Sequence, residues 1–327
     1  MKPTAGARPK IVRRPVHGVL LLDKDAGASS NAALQRAKRL YRAEKAGHTG
    51  TLDPLASGLL PLCFGAATKF AQASLDADKR YLATLRLGVT TTTGDLEGDV
   101  VRTTAGVDVD RAALEAVCAK FVGAIEQVPP MHSALKRDGK PLYEYARAGI
   151  ELERLPRRVR IDAIRVVDGG GDLWTVDVSC SKGTYVRTLG EDIGAALGCG
   201  AHLAALRRTA SGALDLAAAA RFADLDDLAD AELDARLLAP DALVAGLRRV
   251  VLSSDDAGRF LAGVRRRLPL ADSPAVRVYG PEAGAFLGTG HVAGGELIAT
   301  RLLSPAEVGE LVAARRQPLP VSESLPA

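Results

Sequence analysis

An aspartate stands inside a segment rich in glycine and leucine, GHTGTLDPLASGLLPL, which spans residues 47–62. Taken alone, Asp53-Pro54 is typical of a turn, and glycines are common in loops. The same composition also suits a reactive carboxylate, because glycines let a substrate approach the main chain and leucines exclude water. Such a carboxylate can serve as a nucleophile or a base, provided that a nearby cation keeps it ionised.

A cation and two aromatic side chains are available in other segments. In SKGTYVRTLGEDIG (181–194), Tyr185 and Arg187 are two positions apart, so in extended backbone they would point to the same side. Tyr81 begins an alternating apolar segment, RYLATLRLG (80–88). Taken separately, each residue has a structural explanation: an edge-strand tyrosine, a solvated arginine and a tyrosine packed in the core.

Apolar periodicity and capping residues predict the elements that must position these groups. The sequence predicts strands at 18–24 and 80–88, a strand pair at 158–167 and 173–180, a helix over 29–42 capped by Ser29 or Ser30, a helix within 107–123 capped by Asp108 or Asp110, and a helix over 190–198 that ends at glycine. After about residue 245, short strand-like segments punctuated by glycines predict a second, β-rich domain.

Composition limits the classes of function that fit. The chain has 327 residues, 47% hydrophobic and 25% charged, as expected for a globular protein of about two domains. Its net charge of +4 permits an acidic partner such as nucleic acid without requiring one. The four cysteines have no C-x-x-C spacing and the five histidines form no H-x-x-x-H cluster, which predicts buried, reduced thiols and no metal site. No apolar run approaches the ~18 residues of a membrane span, and with no secretory signal we expect a cytoplasmic protein.

Six segments, in this order along the chain, resemble the bacterial tRNA pseudouridine-55 synthases, the branch of the pseudouridine synthases that also includes the box H/ACA catalytic subunit. Each segment alone is weak evidence, but the ordered set is highly specific. The segments cover roughly residues 16–215 and read HGVLLLDK with SSN, AGHTGTLDPLASGLLPL, KRYLATLRLG with T.T.D..G, VPPMHSALK with YEYAR.G, CSKGTYVRTLGEDIG, and GCGAHLAALRRTASG.

The resemblance implies a fold and a domain organisation. We expect an α+β pseudouridine-synthase fold, with a mixed, largely antiparallel sheet flanked by helices, over residues 16–245. A small β-rich, PUA-like RNA-binding domain would occupy residues 250–316. The basic leader (1–15) and the tail (317–327) are predicted to be disordered, with a phosphate-contacting arm as the alternative for the leader.

The resemblance also implies a reaction. Uridine-55 in the T loop of tRNA would be flipped out, its base detached from the ribose at N1, rotated and rejoined through C5. No atoms are gained or lost, so no metal or other cofactor is expected. The implied partner is the T stem-loop of tRNA, bound by a monomer.

Three residues match the family's catalytic positions. Asp53 matches the catalytic aspartate, which attacks the sugar C1′, attacks the base or removes a sugar proton; the sequence leaves these routes open. Arg187 matches the arginine that pairs with that aspartate. Tyr81 matches the tyrosine that stacks on the target base and assists in moving the C5 proton.

Four further residues match positions that bind the substrate. Tyr185 and Leu206 match residues that line the base pocket, and His48 matches a histidine near the flipped-out nucleotides. Lys24 is expected to contact phosphate, although Asp25 stands where the family has proline. Other basic stretches that could follow the RNA backbone are Arg36/Lys38/Arg39, Arg157/Arg158/Arg160 and Arg207/Arg208.

Two other functions remain compatible with parts of this pattern. An RNA-binding protein of the same architecture would need no reactive carboxylate, so the joint presence of Asp53, Tyr81 and Arg187 argues against it. A hydrolase with Asp53 as nucleophile would need a positioned base, a metal set or an oxyanion-binding motif, and the sequence displays none.

Overall fold

The computed structural model describes residues 12–316 of the chain. The predicted disordered tail and residues 1–11 of the predicted leader lie outside the described residues. The end of the leader is placed, because the Arg14 amide donates to Arg42 O at 2.9 Å and its guanidinium pairs with Asp234 at 2.6 Å. The folded part of the chain therefore begins before the predicted boundary at residue 16.

The described residues form strands, α-helices and short 3-10 helices. The strands are β1 Gly18–Lys24, β2 Ala46–His48, β3 Ser57–Phe64, β4 Lys79–Leu87, β5 Val89–Thr91, β6 Val100–Thr103, β7 Gly123–Gln127, β8 Lys136–Arg137, β9 Lys140–Pro141, β10 Arg157–Gly170, β11 Leu173–Cys180, β12 Ala201–Ser211, β13 Leu214–Asp215, β14 Arg248–Val251, β15 Arg266–Arg267, β16 Ser273–Tyr279, β17 Phe286–Ala293 and β18 Glu296–Leu302. The α-helices are α1 Ser30–Leu40, α2 Ala71–Leu75, α3 Arg111–Ala119, α4 Leu142–Arg147, α5 Val186–Ala196, α6 Asp230–Ala235, α7 Ser254–Leu261 and α8 Pro305–Arg316.

The main sheet is mixed and largely antiparallel, which confirms the predicted fold class. Its strand order is β1-β3-β12-β4-β11-β10-β7, with β2 paired to β3 and β13 paired to β12. The β12–β3 pairing is parallel, whereas β12–β4, β4–β11 and β10–β11 are antiparallel. Strand β12 therefore lies between β3 and β4 in the sheet, although it follows both of them far along the sequence.

The local predictions from periodicity are largely confirmed. Ser29 caps α1 by accepting a hydrogen bond from the Ala32 amide, and Asp110 caps α3 in the same way. Along β4, Ala83 and Leu85 are buried while Arg86 is exposed, as alternation requires. The predicted pair β10–β11 forms an antiparallel hairpin.

The start of α5 differs from the prediction. The helix begins at Val186, not at residue 190, and Tyr185 is its extended N-cap residue. Arg187 therefore lies in the first helical turn, and the argument that Tyr185 and Arg187 share one side of an extended backbone was wrong. The Arg187 side chain is buried, and its Nη1 donates to Thr93 O in the loop between β5 and β6.

The strands β1 and β3 are buried on both faces, which explains their nearly continuous apolar sequence. On one face, Leu20, Leu60 and neighbouring residues pack against α1. On the other face, Leu21 packs in a cluster that contains Phe286 and Tyr279 of the C-terminal domain. The main sheet and the C-terminal domain thus share a core.

The C-terminal domain is β-rich, as predicted. Its five-stranded sheet has the order β14-β16-β17-β18-β15, and α7 packs over it through Ala257 and Phe260. Within residues 12–316, no helix is long and apolar enough to cross a membrane.

Candidate functional site

A cavity of about 270 Å³ opens between the loop that carries Asp53, the strands β4 and β12, and the start of α5. Five predicted site residues line it: Asp53, Tyr81, Tyr185, Arg187 and Leu206. They come from four separate segments of the chain, and the parallel pairing of β12 with β3 is what brings Leu206 beside the Asp53 loop. The structure therefore collects in one place residues that the sequence spreads over more than 150 positions.

The loop that holds Asp53 is fixed to the start of α1. The buried Ser30 hydroxyl bonds both the amide and the carbonyl of Leu52, at 2.7 and 2.9 Å. The Asp53 carbonyl accepts from the Ala56 amide at 3.0 Å, which closes the turn without using the carboxylate. The turn is thus built from main-chain bonds, and the Asp53 side chain is free to face the cavity.

Arg187 holds the Asp53 carboxylate. Its Nη2 lies 3.1 Å from Asp53 Oδ2, and its Nη1 lies 3.0 Å from Asp95 Oδ2. The carbonyls of Thr93 and His132 accept further hydrogen bonds from the guanidinium, at 3.2 and 2.5 Å. The Arg187 side chain is only 6% exposed, whereas the Asp53 side chain is 41% exposed. The buried arginine therefore holds from below a carboxylate that reaches the cavity.

Asp95 is a functional candidate that the sequence analysis did not single out. Its side chain is 3% exposed, and it accepts hydrogen bonds from Thr93 Oγ1 at 2.5 Å and from the Glu97 amide at 3.1 Å. These bonds aim its other oxygen at Arg187. The signal was present, since this aspartate is the acid of the quoted segment T.T.D..G, but no spacing rule linked it to Arg187.

The surroundings of Asp53 act on its charge in opposite directions. Loss of water around the carboxyl raises the pKa of Asp53 above its ordinary value, and the Arg187 charge offsets only part of this increase. The Asp95 charge adds to the increase, whereas the Lys24 charge opposes it. The carboxylate is therefore partly desolvated and held by a cation, which is a setting that favours reactivity.

Tyr81 and Leu206 form apolar walls of the cavity. Tyr81 lies on β4 opposite Val178 of β11, and Leu206 lies on β12 opposite Ala83. Burial raises the pKa of the Tyr81 hydroxyl, so the phenol is neutral around neutral pH. A planar, uncharged ring beside an aliphatic wall suits the face of a nucleobase.

Tyr185 is fixed by its main chain. The buried Gln127 side chain accepts from the Tyr185 amide at 3.0 Å and donates to the Tyr185 carbonyl at 3.3 Å. The N-cap residue Tyr185 makes no side-chain capping bond to α5. The side-chain amide of Gln127 instead binds the main chain of Tyr185 and fixes the position from which Tyr185 enters the cavity. No pattern in the sequence indicates this role for Gln127.

Two predicted substrate-binding residues lie apart from the cavity lining. Lys24 is 1% exposed, and its amino group donates to Asp25 O and Ala28 O at 2.8 and 2.7 Å. The adjoining loop thus binds the Lys24 amino group in this structure, and the phosphate contact of Lys24 stays a prediction. His48 is partly buried on β2 and is not among the lining residues, and burial lowers its pKa.

The predicted basic stretches are largely engaged with the protein itself. Arg36 pairs with Asp226 at 2.5 Å, and Arg160 pairs with Asp162 at 2.6 Å. Arg208 is 1% exposed, so the prediction that it follows the RNA backbone is wrong. Within residues 12–316, no group of three or more His, Cys, Asp or Glu side chains is placed to hold a metal ion.

Comparison with known families gives three consecutive matches along the chain. Residues 38–186 match the N-terminal domain of TruB family pseudouridylate synthases. Residues 187–257 match the C-terminal domain of tRNA pseudouridylate synthase B, and residues 249–303 match the C-terminal region of pseudouridine synthase II TruB. The chain belongs to the TruB family of pseudouridine synthases. This assignment makes it an enzyme and confirms the resemblance inferred from its motifs.

Similar proteins span nearly the same length. The tRNA pseudouridine synthase B of Verminephrobacter eiseniae is 54% identical over 95% of this chain and 96% of its own length. The protein of the same name from Burkholderia mallei is 56% identical over 92% of this chain and 98% of its own.

Solved structures confirm the TruB family fold. A box H/ACA ribonucleoprotein bound to a substrate RNA containing 2′-deoxyuridine superposes with a TM-score of 0.68 at 24% identity, covering 89% of this chain and 86% of the other. A Cbf5–Nop10–Gar1 complex gives a TM-score of 0.66 at 25% identity over 93% and 87%.

Proposed function

We propose that this enzyme converts uridine-55 in the T loop of tRNA to pseudouridine, with Asp53 as its catalytic carboxylate. The observation that carries the proposal is the cavity in which Asp53, held by Arg187 at 3.1 Å, faces the ring of Tyr81 and the side chain of Leu206. Membership of the family supports the isomerisation, and the names of the similar proteins support tRNA as the substrate.

We propose that the target nucleotide is flipped out of the T loop to reach the site. A nucleotide inside the folded T loop is stacked on its neighbours, and the protein cannot place Asp53 beside its C1′ unless that nucleotide leaves the stack. The cavity of about 270 Å³ suits one extruded base between Tyr81 and Leu206. Stacking on Tyr81 would compensate for the lost contacts with neighbouring bases.

The chemistry conserves every atom of the uridine. The C1′–N1 bond breaks, the base rotates, and a C1′–C5 bond forms; the hydrogen leaves C5 and N1 gains one. Asp53 acts by attack at C1′, by attack on the base or by removal of a sugar proton, and each route needs an ionised carboxylate at the place where Arg187 holds it. Tyr81 lies beside the base and is placed to assist in moving the C5 proton.

We propose that the enzyme acts as a monomer, with Tyr81, Tyr185 and Leu206 in the same chain as Asp53 and Arg187. The T stem-loop would be recognised by its shape and by its few extruded bases, as is usual for structured RNA. We propose that Tyr185 contacts the base together with Tyr81 and Leu206, and that His48, at the end of β2, lies near the flipped-out nucleotides.

An unmodified tRNA transcript tests this function. We expect incubation with the protein to produce pseudouridine at position 55, mapped by a chemical method that stops or marks reverse transcription at pseudouridine. A transcript with cytidine at that position is the matched control and should stay unmodified. Tight binding of the transcript with every uridine unchanged would favour an RNA-binding protein instead, and pseudouridine elsewhere would refute the position.

A further inference from the structure

Arg208 is a buried cation at the edge of the catalytic cavity. It is one of the largest fully buried side chains, at 1% exposure, and yet it belongs to the cavity lining. It lies on β12 directly opposite Tyr81 on β4, so the two side chains leave the same face of the sheet. Tyr81 is therefore its immediate cross-strand neighbour.

The Arg208 guanidinium is held by main-chain carbonyls from two segments. Its Nε donates to Leu59 O on β3 at 2.7 Å, and its Nη2 donates to Gly50 O at 3.2 Å. Gly50 lies three residues before Asp53 in the same loop. Within residues 12–316, no carboxylate forms an ion pair with Arg208.

A buried charge without an opposite charge is costly. A neutral side chain of similar length would fill the same space at lower cost, so packing alone does not account for an arginine here. The adjacent Arg207 differs in each of these respects. Its side chain is 36% exposed and pairs with Asp23 at 2.8 Å.

We propose that Arg208 is a positioning residue, which fixes the Tyr81 ring and the Gly50 end of the Asp53 loop in one arrangement around the target base. A guanidinium suits this task because its donors point in several fixed directions at once, whereas an ammonium offers charge without that geometry. The proposal deepens the proposed function, since it depends on Tyr81 holding the base.

The electrostatic effects around Arg208 agree with its position. Burial raises the pKa of Tyr81, and the nearby Arg208 charge and its hydrogen bonding oppose that increase. Burial also lowers the pKa of His48, and the Arg208 charge lowers it further. Arg208 is thus close to the side chains on both sides of the loop that carries Asp53.

The first experiment needs no substrate. Hydrogen exchange of the loop amides over residues 48–56 would be compared in the wild type, Arg208→Met, Arg208→Lys and the control Arg207→Met. We expect exchange in the loop to be about tenfold faster or more in both Arg208 variants, with β4 and α5 unchanged and the control like the wild type. Loop exchange at the wild-type rate in both Arg208 variants would overturn the proposal. Arg208→Lys keeps the buried cation and supplies the result if Arg208→Met does not fold.

The second experiment measures the effect on the reaction. At saturating enzyme, we expect the rate of pseudouridine formation to fall by at least about tenfold in Arg208→Lys. Its tRNA affinity should stay within about threefold of the wild type. In a Tyr81→Phe background, the fold-loss in rate caused by Arg208→Lys should be smaller by a factor of at least about three, because the two side chains act together. A lysine variant at the wild-type rate, or an equal loss in both backgrounds, contradicts the proposal. A wild-type protein that forms no pseudouridine would defeat the proposed function, and loop exchange would then decide the role of Arg208.

Discussion

Asp53→Asn separates the reactivity of the carboxylate from its role in the loop. The turn is closed by the Asp53 carbonyl, not by its side chain. The side chain is 41% exposed, so losing its ion pair should cost about 1 kcal/mol of stability or less. Arg187 also keeps its bonds to Asp95, Thr93 O and His132 O, and it is not left as an unpaired buried charge.

The effect of Asp53→Asn on the rate should be far larger. Of the described residues that line the cavity, Asp53 is the one carboxylate, so no neighbour can replace it as nucleophile or base. We expect the barrier to rise by on the order of 5 kcal/mol or more, which is nearly four powers of ten at about 1.36 kcal/mol per tenfold change. The tRNA affinity should stay within about tenfold, because phosphate contacts and stacking supply most of it.

Single-turnover pseudouridine formation at saturating enzyme measures this, together with a binding titration on the same RNA. The matched control is Asp172→Asn, because Asp172 also pairs with an arginine, Arg86, at 3.2 Å and is 48% exposed, but lies in the turn between β10 and β11 and does not line the cavity. The control should keep the wild-type rate. Turnover by Asp53→Asn at near the wild-type rate would refute the catalytic role and leave Asp53 as a turn residue.

Four further predictions follow from the structure. Arg187→Met should lower the rate as severely as Asp53→Asn. Because the change also removes the charge that lowers the pKa of Asp53, that pKa should rise, and the acid limb of the pH–rate profile of the remaining activity should move to higher pH. Burial, and then the Arg208 charge, lower the pKa of Lys79 to about 8, so its amino group should lose its proton near that pH by ¹³Cε NMR, and Arg208→Met should raise the midpoint. A minimal T stem-loop should be modified; activity on whole tRNA alone would reveal contacts outside the T arm. Deletion from about residue 250 onward should lower tRNA affinity. It should also lower the melting temperature of the remaining domain, because it uncovers the core that both domains share. An unchanged melting temperature of the truncated protein would contradict the stabilising role of this shared core.

Regular elements were predictable because their signals are local. The alternation in β4, the capping hydroxyl of Ser29 and the glycine-rich turn between β10 and β11 each act within a few residues. The motif order then indicated the family and, with it, the group of Asp53, Tyr81 and Arg187. The structure brings these three together around one cavity, and their catalytic roles stay predictions until the variants are measured.

The predictions that failed concern residues whose environment is set by distant parts of the chain. Arg208 looks like an exposed cation in the sequence, but the main-chain carbonyls of Leu59 and Gly50, which lie 149 and 158 positions away, bind it inside the protein. Asp95 lies 92 positions from its partner Arg187, and no periodicity connects the two. Charged residues in apolar surroundings are thus poorly placed by local pattern, because burial and pairing depend on contacts that only the complete fold provides.

The arrangement of carboxylates around Arg187 has a consequence for the reaction. Arg187 is 6% exposed and is shared between Asp53, which reaches the cavity, and Asp95, which is 3% exposed. In any route in which Asp53 bonds to the sugar or the base, its negative charge disappears while the intermediate persists. Without Asp95, the buried Arg187 would then be unpaired, at a cost of about 3–5 kcal/mol for a broken buried pair. Because Asp95 keeps its 3.0 Å contact throughout, Arg187 stays neutralised, and Asp53 can gain and lose its charge without exposing the site to that cost.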